Sequence, residues 1–179
     1  IIVVGYKHYL IRERFPRLTY VYNREYAQTS TAKSLLIALN KIKGADVLWM
    51  NGDVFFDEDV LKLLVDCKNS CCLVDNKECG EEEIKYSLDK QGYIKGLSKQ
   101  VKEAKGEALG INSIKKEDLE LFKKELENVN NNDYFEKAFE NLTLNNKIKL
   151  MPVNIGRLFC HEIDFPEDLK KVKKYIRKK

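Results

Sequence analysis

No apolar run in the sequence approaches the roughly 18–20 residues that a membrane helix needs. The opening Ile1-Ile2-Val3-Val4 lacks the basic, apolar, small-residue layout of a signal peptide. The five cysteines (Cys67, Cys71, Cys72, Cys79 and Cys160) are an odd number with no regular spacing, which argues against a disulfide framework. Together these absences predict a soluble protein of a reducing, cytoplasmic compartment. Gly5 belongs to no G-x-G-x-x-G, so a dinucleotide site has no support. The C-x3-C-C-x6-C spacing matches no common zinc pattern and reads as buried small hydrophobes. A general basic surface is also missing. The formal net charge is +4, but residues 170–179 alone hold seven positive charges and no acid. The remainder stands at about −3, which argues against a nucleic-acid partner. No internal repeat, low-complexity linker or second domain is evident.

What is present is enough apolar material for one domain: 44% of the 179 residues are hydrophobic and 34% charged. Ile1 to Val4 reads as a strand buried on both faces. A short helix over 8–15 stops at Pro16, and Leu18–Tyr22 reads as the next strand. A helix from Thr31 to Lys43 ends at Gly44, and Ala45–Met50 is another apolar strand. A further helix is expected over 57–67, with Asp57 as its N-cap. This β-α-β-α-β-α order predicts an α/β fold with helices covering a mixed, mostly parallel sheet. The middle changes to short strands over 71–74, 84–88, 93–97 and 108–114, with Asp89-Lys90-Gln91-Gly92 as a hairpin turn. Helices follow near 116–126 and 132–142, then strands over 148–153 and 158–163. A last helix opens at Pro166, with Leu169, Val172 and Ile176 on one face.

Two features carry chemistry. Asn51-Gly52-Asp53 follows a buried strand, at the end where α/β folds bind ligands. Gly52 permits close approach to the backbone, and the Asp53 carboxylate suits Mg²⁺, a hard cation. In His161-Glu162-Ile163-Asp164, Glu162 and Asp164 share one strand face. Asp164 then either meets the same metal or caps the helix at Pro166. Lys85 and Lys99 are candidates to neutralise a phosphate, and Glu107 to accept hydrogen bonds from hydroxyl groups.

The pieces stand in an order that resembles a known family. Asn23-x-x-Tyr26-x-x-Thr29-x-x-x-x-Ser34-Leu35 precedes Asn51-Gly52-Asp53-Val54-x-Phe56. Leu73-Val74-Asp75 and Glu81-Glu82-Glu83-Ile84-Lys85 follow. Then come Gly92-Tyr93-Ile94-x-x-Leu97-Ser98-Lys99 and Ala104-x-Gly106-Glu107-Ala108-Leu109-Gly110-Ile111. Tyr134-Phe135-Glu136 and Glu162-Ile163-Asp164-Phe165-Pro166-Glu167-Asp168-Leu169 close the series. Over nearly its whole length the chain resembles the sugar-nucleotidyltransferase superfamily, nearest to its phosphocholine- and inositol-phosphate-cytidylyltransferase-like branch.

The resemblance implies a Rossmann-like mixed sheet and transfer of a nucleoside monophosphate from an NTP, CTP being favoured, to a phosphorylated acceptor with release of pyrophosphate. It implies Mg²⁺ on Asp53 and Asp164, with Lys99 near the substrate phosphate. It places Ser30, Thr31, Ser34, Gly52 and Asp53 at the nucleotide. It places Lys85, Glu107, Tyr134 and Glu136 around the acceptor, which is phosphocholine, an inositol phosphate or a sugar 1-phosphate. Two departures stand out. Ser30-Thr31 replaces the family's paired asparagines, and the family's G-x-G-x-R loop ending in Pro-Lys has no counterpart in residues 1–179. The chain opens directly in a strand without a methionine, so it is expected to be processed or to be the C-terminal part of a longer protein. The rival expectation is a non-catalytic fragment or binding module that dimerises through the gap left by a missing interior strand.

Overall fold

A computed structural model describes residues 1–179. The elements in chain order are β1 (Ile2–Val4), α1 (His8–Arg14), β2 (Tyr20–Tyr22), α2 (Thr31–Leu39), β3 (Val47–Met50), β4 (Val54–Phe56), α3 (Asp59–Val65) and β5 (Cys71–Asp75). The chain continues through β6 (Lys85–Leu88), β7 (Ile94–Ser98), β8 (Gly106–Ile114), α4 (Lys116–Asn128), α5 (Phe135–Leu144), β9 (Met151–Asn154), β10 (Cys160–Glu162) and α6 (Pro166–Ile176). No helix is long and apolar enough to cross a membrane.

The main sheet runs β7-β6-β8-β5-β9, with β3 also paired to β8. Alternation along β5 divides the core. Cys72 and Val74 face one apolar cluster, and Cys71 and Leu73 face the other. The first cluster fills the space under α2, α4 and α5 with Leu35, Leu39, Phe122, Leu126 and Phe139. The second packs Val60 and Leu64 of α3 on Ile111 and Ile155. Helices thus cover both faces of a mixed sheet, the expected α/β layering. Trp49 of β3 stacks on Phe122 and Phe139, with ring centroids 5.5 and 5.6 Å away.

Three expectations need correction. The sheet is not mostly parallel. Only β1–β2 and β5–β9 are parallel ladders, while β8 runs antiparallel to β3, β5 and β6. The nine-residue β8 is the central strand, and its neighbours take their direction from it. Next, β1 is not buried on both faces. Val4 is buried, but Ile1 is 56% exposed, because β1 pairs only with β2 and one edge stays open. Finally, Asp57 is not a helix cap. Its carboxylate accepts hydrogen bonds from Phe159 N (2.9 Å) and Tyr175 Oη (2.7 Å) and binds Lys179, fastening the end of α6 beneath β4. Phe159 and Tyr175 stack at 3.9 Å above this latch.

Candidate active site

The apolar run of β3 ends at Asn51, whose backbone N–H donates to the Gly110 carbonyl at 3.0 Å. Gly52 and Asp53 make the turn into β4. Strand β10 lies antiparallel to β4, with Glu162 opposite Val54, and Ile163 N donates to the Asp53 carbonyl at 3.0 Å. That bond ties the Asp53 turn to the end of β10, and Asp53 and Asp164 both line one cavity of about 560 Å³. Neither carboxylate takes part in any side-chain hydrogen bond or ion pair within the chain. Asp164 does not cap α6. That place belongs to Phe165, whose N–H donates to Asp168 Oδ2 at 3.0 Å. A Cβ on Gly52 would meet nothing within 4 Å, so the turn is open to a ligand.

The rest of the wall comes from other segments of the chain. Lys99, at the end of β7, sits 2.8 Å from Glu82 and 5.9 Å above the Tyr134 ring. Lys77 pairs with the buried Glu107 of β8 at 2.7 Å. Glu136 lies in the first turn of α5, 7% exposed. Burial, more than the charge of Glu162, pushes its carboxyl up to about 7. Asp168 of α6 accepts from Lys171 (3.0 Å) and meets His161 Nε2 at 3.1 Å. Lys171 first, then the Phe165 N–H, holds the Asp168 carboxyl down at about 2. Glu162 is half-buried, and burial together with the charges of Asp53 and Asp164 raises its pKa against the opposing Asn51 bond.

The cavity therefore collects most, not all, of the residues singled out in the sequence. Thr31, Gly52, Asp53, Lys99, Glu107, Tyr134, Glu136 and Asp164 line it. Ser30, Ser34 and Lys85 do not. Ser30 ends at the start of α2 with its N–H on the Asn131 carbonyl, 2.7 Å away. Ser34 Oγ accepts from Asn23 Nδ2 at 3.1 Å and helps fix the 23–34 loop. Lys85 turns to the Lys99 carbonyl at 3.3 Å. Lys77 and Lys171 line it from outside the quoted motifs, while Asn51, Glu82, Glu83 and Asp168 stood within motifs without being given a role. Asp168 and Lys171 carried a signal: three positions apart in α6, they share the helix face that borders the site.

Eight acids line the cavity against three lysines, and all three lysines are already paired with acids. An anionic ligand entering here needs an added cation. Asp53 and Asp164 fit that requirement, being hard oxygen donors with no partner in the chain. No three His, Cys, Asp or Glu side chains converge on a common metal position. Water and substrate oxygens would have to complete the shell, as they usually do for Mg²⁺.

No family model and no curated protein sequence matches the chain. Solved structures do. The inositol-1-phosphate CTP transferase from T. maritima is 16% identical, with a TM-score of 0.82 over 99% of this chain and 75% of that one. The CTP:phosphocholine cytidylyltransferase from Streptococcus pneumoniae is 12% identical, with a TM-score of 0.72 over 98% of this chain and 78% of that one. A putative glucose-1-phosphate thymidylyltransferase from Bacillus anthracis is 14% identical, with a TM-score of 0.73 over 98% and 75%. The chain has the mixed α/β fold of these nucleotidyltransferases, the fold that its ordered motifs implied.

Proposed function

We propose that the chain is the catalytic module of an Mg²⁺-dependent nucleotidyltransferase. It transfers a nucleoside monophosphate, with CTP favoured, to a phosphorylated small molecule. The observation that carries this reading is the pair of unpartnered carboxylates, Asp53 and Asp164, lining one acid-rich cavity of this fold. In the reaction a phosphate oxygen of the acceptor attacks the α-phosphorus of the NTP. The bond from that phosphorus to its bridging oxygen breaks, and pyrophosphate leaves with the electron pair. A phosphate dianion needs no side-chain nucleophile, so the work of the chain is orientation and charge placement. Bound Mg²⁺ would supply positive charge to the phosphate oxygens. Lys99 holds a cation beside the same wall, and Glu107 and Glu136 offer acceptors to the body of the acceptor molecule. The two CTP-using structural neighbours support the cytidine preference. The acceptor is phosphocholine, an inositol phosphate or a sugar 1-phosphate.

The test is pyrophosphate release by the 179-residue chain with Mg²⁺, screening CTP, UTP and dTTP against these three acceptors. Asp53→Ala or Asp164→Ala should lower turnover at least ~10²-fold without loss of fold by circular dichroism. Turnover near wild type in either variant would refute the assignment.

A further inference from the structure

One junction at the base of the cavity has no part in the chemistry just described. Asn51 Nδ2 donates to Glu162 Oε1 at 2.8 Å, joining residues 111 positions apart. Gly110 of β8 lies directly against this bond. It has φ +68°, and a Cβ there would stand 2.8 Å from Asn51 Nδ2 and 3.0 Å from Glu162 Oε1. The backbone is bare where the two side chains meet. Glu162 is not placed as a third metal ligand, since no three such side chains converge and this oxygen is committed to the amide.

The two contacts on either side of Gly52 differ in kind. On one flank the Asp53 carbonyl is tied to Ile163 N. On the other, the Asn51 side chain is tied to Glu162. The turn bearing Asp53 is thus held twice against the strand end bearing Asp164. With only the backbone bond it retains a hinge at Gly52, whose surroundings are open. We propose that Glu162 is a positioning residue. Through Asn51 it fixes the turn of Asp53 against β10 and so sets the separation of the two carboxylates that a divalent cation takes. The inference rests on the role given to Asp53 and Asp164 under Proposed function.

The experiment titrates the unmodified 179-residue chain and its variants with Mn²⁺, reading free ion by electron paramagnetic resonance at one fixed pH, with a melting curve for each variant. Removing a residue that orients a metal's ligands typically weakens binding by about 10–100-fold. Asn51→Ala keeps the charge of Glu162 but removes the donor, and is expected to weaken Mn²⁺ by at least ~10-fold. Glu162→Ala should match it, and the double variant should be no worse than either, since one bond is lost in each. Glu162→Gln keeps an oxygen for Asn51 and should stay within about 3-fold of wild type. The opposite order, with Asn51→Ala near wild type and Glu162→Gln as poor as Glu162→Ala, would show a charge or ligand role and overturn the inference. Asp53→Ala is the control. If it binds Mn²⁺ normally, the site assignment itself fails; if it loses Mn²⁺ while Asn51→Ala does not, only the positioning role fails. Should the alanine variants not fold, the side-chain amide resonance of Asn51 in the unsubstituted chain decides. A shift that saturates with added Mg²⁺ supports the inference, and no shift overturns it.

Discussion

Replacing Glu136 by glutamine should stabilise the chain at pH 8 much more than at pH 5. Burial raises this carboxyl from its ordinary 4.5 to about 7. The direction of the pH effect follows. Below 4.5 the folded and unfolded chains both keep the proton, and the group adds no pH dependence. Between 4.5 and about 7 the unfolded chain has released the proton and the folded chain has not. Stability falls with rising pH across that window and stays low above it. At 1.36 kcal/mol per pH unit the full penalty is roughly 3 kcal/mol, of which about 2–3 develops between pH 5 and pH 8. Glutamine has nearly the same shape and cannot ionise, so the penalty vanishes. The other acids are common to both proteins and cancel in the difference. Urea unfolding followed by circular dichroism, at several pH values from 5 to 8, gives the two stability curves. They should diverge by about 2–3 kcal/mol towards pH 8. Parallel curves would refute the claim that burial of the Glu136 carboxylate outweighs the hydrogen bond it takes from its own backbone N–H.

Asp57→Ala should cost about 1–3 kcal/mol, since Phe159 N and Tyr175 Oη lose their acceptor. Lys179, which leads in holding Asp57 at about 2 instead of 3.8, makes this support present above pH 3.8 and lost as pH falls towards 2. Acid titration of the two proteins should show the wild-type excess fading in that window. Lys33 Nζ donates to the carbonyls of Leu126, Glu127 and Val129 at 2.7–2.9 Å, capping the end of α4. Lys33→Met should lower stability by about 1–2 kcal/mol in urea while leaving Mn²⁺ binding unchanged. Gly110→Ala forces a side chain into a left-handed backbone and onto the Asn51–Glu162 bond. It should cost about 1–3 kcal/mol by the same assay and weaken Mn²⁺ as well.

The α/β layering was legible because its signals are local: apolar runs at β1, β3 and β5, turn residues between them, and Pro166 opening α6. Strand direction was not, because β8 imposes it through partners many tens of residues away. Strand β4 escaped notice for a related reason. Val54–Phe56 is three residues long, and the acid after it reads locally as a cap. Its carboxylate is instead claimed by groups more than 100 positions distant. Within the cavity, Asp53 and Glu107 stood out by following or occupying apolar strands. Lys77 stands in a polar stretch with no helix or strand signal, and only its ion pair with Glu107 of β8 ties it to the cavity wall. Ser34 shows the converse: a hydroxyl that fits a ligand-facing loop by sequence is spent on holding the loop itself.

Trp49 is the only tryptophan, and it lies two residues before Asn51, beside the mutually stacked rings of Phe122 and Phe139. Its indole N–H is buried without an acceptor. Nature has placed a single fluorophore on the strand that delivers the Asp53 turn, in contact with both α4 and α5. Its emission is therefore a label-free gauge of whether those two helices remain docked on the sheet when Mn²⁺ is added.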